Sequence, residues 1–71
     1  MSKSSNNPKG RVMATYAGAR FLVQMDDGKE IKAYLAGKMK LRKIQVSVGD
    51  MVEVVLDPLG GNATNRIVYR L

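Results

Sequence analysis

Residues 20–35 constrain this chain more than any other stretch, because two short alternating runs flank the triplet Asp26-Asp27-Gly28. In the first run Phe21, Val23 and Met25 alternate with Arg20, Leu22 and Gln24; in the second, Lys29 to Leu35, Ile31, Ala33 and Leu35 alternate with Glu30, Lys32 and Tyr34. A period of two belongs to a strand, whose successive side chains leave on opposite faces. Aspartate tolerates left-handed backbone angles and glycine adopts them without steric cost, so the triplet predicts a hairpin turn. Its paired carboxylates read as turn residues and not as a calcium or magnesium site, which would need further oxygen ligands at suitable spacing. The hairpin thus has one core face and one open face, and the open face carries Arg20, Leu22, Gln24, Lys32 and Tyr34.

The remaining strands are placed by the same logic. Gly10 to Tyr16 has β-branched and aromatic residues and stops at Ala17-Gly18, a turn signal. After the hairpin, Ala36 to Leu41 has the composition of one helical turn, with Met39 and Leu41 expected to pin it to the core. Ile44, Val46 and Val48 then alternate up to Gly49-Asp50, and Met51 to Leu56 is the most strand-like segment, with Val52, Val54 and Leu56 facing one way. Asp57-Pro58 ends it, since proline has no ladder donor. Leu59 to Asn65 reads as a flexible loop with a mobile tip, and Arg66 to Leu71 as a last strand with Ile67 and Tyr69 inward. Three strands in a meander, a crossing connection and two more strands predict an all-β, five-stranded Greek-key barrel of the oligonucleotide-binding kind, with one short helical turn between strands three and four. A small SH3-like barrel is the rival. Residues 1–9 are polar after Met1 and read as a disordered basic tail, leaving 10–71 as the folded RNA-binding domain.

Charge narrows the function. The net charge is +6, and four of the twelve basic residues, Lys38, Lys40, Arg42 and Lys43, fall between Gly37 and Lys43 with no acid among them. Such a ridge favours a polyanion, and nucleic acid fits better than a membrane surface, for which a basic amphipathic helix would be required. Lys32 beside Tyr34 on the open sheet face adds the pairing that single-stranded nucleic acid uses, a ring for the base and a cation for the phosphate. The chain has neither histidine nor cysteine, so the commonest general base, the commonest metal ligand and every disulfide are excluded. Gly60-Gly61 lacks the Lys-Ser/Thr partner and following helix of a phosphate loop. No enzyme activity, metal or cofactor is expected. No run approaches the roughly 20 apolar residues that span a bilayer, and 1–11 has no apolar central segment, so a soluble cytoplasmic protein is expected.

Gly37-Lys38-Met39-Lys40, then Ile44-Gln45-Val46, Gly49-Asp50-Met51-Val52-Glu53-Val54, Asp57-Pro58 and Arg66-Ile67-Val68-Tyr69-Arg70 together closely resemble bacterial translation initiation factor 1. Gly10-Arg11-Val12, Phe21-Leu22-Val23 and Asp27-Gly28 extend the resemblance over Gly10 to Arg70. It implies a single five-stranded barrel that binds the small ribosomal subunit in its aminoacyl site, against ribosomal RNA of the decoding centre and a neighbouring ribosomal protein. It also implies a non-catalytic protein, monomeric off the ribosome, that assists the other initiation factors. Carried over by position, the implied RNA-contacting residues are Lys38, Met39, Lys40, Arg66 and Arg70; charge and strand face add Arg42, Lys43, Lys32 and Tyr34. The chain departs from the family at Lys43, where an aromatic is common, at Gln45, often basic, and at Tyr34, commonly histidine; its loop 59–65 is about one residue longer.

Two other functions compete. A general single-strand binder of the cold-shock type shares the barrel but relies on several exposed rings, and Tyr34 is the one strong outward aromatic that alternation identifies. A protein-binding barrel would use the acidic Asp50, Glu53 and Asp57 or exposed Met51 and Val55.

Overall fold

A computed structural model describes residues 7–61 and 64–71. Its elements are β1 (Lys9–Tyr16), β2 (Arg20–Met25), β3 (Glu30–Leu35), the short helix α1 (Gly37–Leu41), β4 (Met51–Val55) and β5 (Arg66–Arg70). The strands close into a barrel in the order β1-β2-β3-β5-β4, with β4 returning to β1. This is the five-stranded oligonucleotide-binding barrel that the meander and the crossing connection predict. No helix among the described residues is long and apolar enough to cross a membrane.

The β2–β3 hairpin forms in the expected register, Arg20 opposite Tyr34 and Val23 opposite Ile31, and Gly28 takes the positive φ of 90° that its turn demands. Phe21, Val23, Met25 and Ala33 are buried, joined by Val12, Val52, Val54, Ile67, Met39 and Ala36 in one core. β1 begins at Lys9, one residue earlier than expected, and a bulge between Val12 and Ala14 leaves Met13 without a partner on β2. The bulge bends β1 so that its first half also pairs with β4, Gly10 opposite Val52 and Arg11 opposite Met51. Of the expected tail, residues 1–6 lie outside the described residues.

Several expectations are corrected. Residues 44–47 belong to no strand and Val48 lies in a turn; Ile44 and Val46 pack on the core while Val48 is exposed. β4 stops at Val55, and Leu56 is exposed instead of inward because the chain leaves the sheet before it. Of the two β5 residues expected inward, Ile67 is buried and Tyr69 is not. The register shifts between Glu53 and Val54, so that Glu53 faces Tyr69 while Val54 faces Ile67, and this bulge turns Val68 toward the core and Tyr69 outward. Asn65 is no flexible loop residue. It is buried, its side-chain oxygen accepts from the Asp57 amide at 2.6 Å, and its Nδ2 donates to the Lys32 carbonyl at 3.0 Å. The expected mobile tip falls on residues 62 and 63, outside the described residues.

One seam of the barrel is short. β3 and β5 run parallel and share only the pairs Tyr34–Arg66 and Leu35–Ile67. The amide of Tyr34 donates to the Asn65 carbonyl at 3.0 Å, and that of Ala36 to the Ile67 carbonyl at 2.9 Å, which carries the chain from β3 into α1 over this same seam. The site described next is built there.

Candidate nucleic-acid interface

Five residues are too few for a helix that stands by itself, and α1 has no side-chain cap at its start. It is held by burial and by its exit. Met39, 2% exposed, plugs the core beneath it. At the other end Lys43 adopts a left-handed φ of 54°, its amide donates to the Lys40 carbonyl at 3.1 Å, and the Ile44 amide donates to the Met39 carbonyl at 3.1 Å. That pair of bonds is the Schellman closure of a helix, with Ile44 folding back on the core beside Met39. Lys38, Lys40, Arg42 and Lys43 are left exposed on a fixed footing. The apolar footing expected from the sequence is therefore half right: Met39 supplies it, but Leu41 is 85% exposed among the cations.

β5 adds to this cluster. The Arg70 guanidinium donates to the Gln45 carbonyl at 2.8 Å and so ties the connection to the end of the strand. Lys38, Arg42 and Tyr69 border a depression of about 170 Å³ floored by Met39, Ile44 and Val68. Tyr69, 56% exposed, is the functional candidate that strand alternation placed inside. Nothing in local sequence signals the bulge that turns it out; only its place in the Arg-Ile-Val-Tyr-Arg motif could have drawn attention to it.

The second group lies on the outer face of β2, β3 and the start of β5. Tyr34 stands between Arg20 and Arg66 in register, and Lys32 lies on the same face, opposite Leu22. All four of these polar side chains are exposed. Among the predicted contact residues, then, the structure brings Lys38, Arg42, Lys43 and Arg70 around α1 and the end of β5, and Lys32, Tyr34 and Arg66 onto the sheet. Lys40 projects from α1, and Met39 belongs to the core. The two groups are joined at Ile67, which follows Arg66 and accepts the bond that starts α1.

Three of the acids are engaged by their own turns, while Glu53 stands opposite Tyr69 in the sheet. Asp27 accepts from the Lys29 amide at 3.0 Å, Asp50 from the Ser47 amide at 2.8 Å, and Asp57 from the Leu59 amide at 2.8 Å. Such bonds fix turn geometry and leave less reason to read an acidic docking face. No group of three or more His, Cys, Asp or Glu among the described residues is arranged to hold a metal ion. What the arrangement can do is meet phosphates with cations held on a rigid base while rings beside them meet nucleobases.

Comparison with known proteins gives a consistent result. The family model for translation initiation factor 1A / IF-1 matches residues 2–71. The translation initiation factor IF-1 of Rhodospirillum rubrum is 43% identical over 61 residues, which are 86% of this chain and 63% of that protein. That of Malacoplasma penetrans is 40% identical over 63 residues, 89% of this chain and 86% of that protein. The chain thus spans just under two thirds of the Rhodospirillum relative and most of the other. In three dimensions it resembles the solution structure of the same initiation factor from the Wolbachia endosymbiont of Brugia malayi, with a TM-score of 0.72 and 36% identity over 89% of this chain and 74% of that one. The crystal structure of YjeQ from Thermotoga maritima contains a similar barrel, with a TM-score of 0.73 and 27% identity over 92% of this chain and 22% of that one.

Proposed function

Because the chain belongs to the translation initiation factor 1A / IF-1 family, we propose that it binds the small ribosomal subunit in the aminoacyl site, gripping ribosomal RNA through the α1 ridge and the basic residues of β5. It acts there without catalysis, in the cytoplasm, beside a neighbouring ribosomal protein and together with the other initiation factors. The observation that carries this reading is the ridge itself. Four cations stand exposed on a connection anchored by Met39, closed by Lys43 and tied by Arg70 to the strand that also presents Arg66. A charged surface held this firmly loses little side-chain and backbone freedom on binding, and freedom lost on binding subtracts directly from affinity.

Each phosphate neutralised by a lysine releases condensed counterions, so binding weakens with salt. Lys38→Ala combined with Lys40→Ala is expected to lower affinity for purified small subunits about tenfold per lysine near ~0.1 M salt and to flatten the log–log salt slope by about two. An unchanged slope and affinity in a titration of labelled protein would remove the ridge from the interface. Competition by a tRNA-filled aminoacyl site tests the location, and a random single-stranded RNA tests specificity. Equal binding to that strand would favour the general single-strand binder, a reading strengthened here by Tyr16, Tyr34 and Tyr69 all being 40% or more exposed.

Lys43 offers a sharper test. A left-handed backbone costs an L-residue about 1 kcal/mol or more, and glycine commonly fills this place in a helix exit. Lys43→Gly is therefore expected to raise stability by about 0.5 to 1 kcal/mol, a few degrees in melting temperature, while weakening small-subunit binding. Opposite signs for the two would show that the cation is kept for its charge. A variant that is both more stable and equally tight would make Lys43 irrelevant to binding.

A further inference from the structure

The ends of β1, β2 and β3 align a row that sequence alternation does not show. Tyr16 on β1 stands opposite Arg20, Arg20 opposite Tyr34, and Tyr34 opposite Arg66, so that rings and guanidinium groups alternate across four neighbouring strands. Tyr16 is 48% exposed and Tyr34 40% exposed. Beside the row, Tyr16, Arg20 and Lys32 enclose an open depression of about 260 Å³ on the sheet. Its place in the register is above Ala14 and Leu22, the paired residues that lie between Tyr16 and Lys32. The Nε of Arg20 leans toward the Ala17 carbonyl at 3.4 Å, at the β1–β2 turn, which draws the guanidinium to one end of the row.

We propose that this depression is a subsite for one unpaired RNA base, stacked on the Tyr16 ring with its phosphates met by Arg20 and Lys32. The proposal rests on the RNA-binding reading above and adds to it a second kind of contact. The α1 ridge offers cations and grips any phosphate backbone, paired or not. The Tyr16 row offers a ring flanked by two cations on an open sheet, and a base can reach that ring only when it is out of a helical stack. Complementary charge and continuity with Tyr34 and Arg66 set the occupant: an unpaired stretch of the same RNA that the ridge holds. A protein partner would meet a face with three cations and no carboxylate across this row.

The test compares the protein and its variants on two RNAs of the same composition, one unstructured and carrying 2-aminopurine, the other a blunt-ended duplex. The parent is expected to quench the 2-aminopurine on binding. Tyr16→Leu is expected to lose about five- to a hundredfold in affinity for the unstructured RNA, the range for one base on one ring, and to bind the duplex as the parent does. Tyr16→Phe keeps the ring and is expected to bind both RNAs like the parent, and Arg20→Gln to flatten the salt slope for the unstructured RNA by about 0.7. Undiminished binding by Tyr16→Leu, equal losses on both RNAs, or equal losses in Tyr16→Leu and Tyr16→Phe would each overturn the subsite. If Tyr16→Leu is unaffected while the Lys38→Ala, Lys40→Ala variant is weakened, the subsite falls and the ridge stands. If the parent binds neither RNA nor small subunits, both fall.

Discussion

Asn65→Ala is expected to cost about 2 to 4 kcal/mol and to lower the melting temperature by about 10 to 20 °C. The side chain spans three segments. Its Oδ1 satisfies the amide of buried Asp57 just after β4, its Nδ2 satisfies the Lys32 carbonyl in β3, and its own carbonyl accepts from Tyr34. Alanine would leave an acceptor and a donor without these partners in a place where Asn65 itself is only 1% exposed, and each buried polar group so stranded costs about 1 to 3 kcal/mol. The position of the loss matters as much as its size. It falls on the parallel seam, where β3 and β5 have only two pairs to hold them, and Tyr34 and Arg66 make one of those pairs. Thermal unfolding followed by circular dichroism measures the stability. Hydrogen exchange at the Asp57 and Tyr34 amides, expected to accelerate well ahead of exchange in the β2–β3 hairpin, tests the seam. Melting within a degree or two of the parent would mean that the seam closes without this side chain.

Gly10→Ala is expected to lower stability by about 2 to 3 kcal/mol, against the usual sign for such a change. Glycine inside a strand is ordinarily a weak point, and alanine at a compatible position gains about 0.4 to 1 kcal/mol through a less flexible unfolded chain. Here there is no room. A β-carbon on Gly10 would lie 2.6 Å from Cγ1 of Val23, 2.7 Å from the Gln24 carbonyl oxygen and 2.9 Å from Sδ of Met25. The methionine can swing aside, but the carbonyl belongs to β2, and Gly10 is paired on its other side to Val52, so β1 cannot retreat without loosening β4. Adding Val23→Ala removes one of the three clashes but also deletes two methyl groups from the core, so the double variant is expected to lose less than the sum of the two single losses while staying below the parent. A Gly10→Ala protein that melts higher than the parent would show that β1 and β2 can separate freely at this point.

The β2–β3 hairpin, the helical turn after it and the core face of β2 were legible because each rests on local chemistry: a period of two, an Asp-Asp-Gly turn, and a methionine among good helix formers. The α1 ridge was legible for the same reason, since charge density is a property of composition along the chain. Met39, carried over with the ridge as a contact residue, belongs to the core in the structure. The strand side chains that were misplaced lie where a strand departs from regular pairing. Tyr69 and Val68 exchange faces because β5 meets β4 across a bulge, and Leu56 is exposed because β4 leaves the sheet a residue early.

Hydrophobic alternation and turn chemistry act over neighbouring residues, so the number of strands, their order along the chain, the barrel class and the basic connection follow from the order of amino acids alone. Which residues stand side by side follows only from the closed barrel. The row Tyr16–Arg20–Tyr34–Arg66 is drawn from four strands, the Asn65 bridge from three segments, and the Arg70–Gln45 tie from residues 25 positions apart. Register between strands is set by bulges and by which side chains fill a shared core. Both depend on all five strands at once, and a one-residue slip on any of them would change every neighbour in the row.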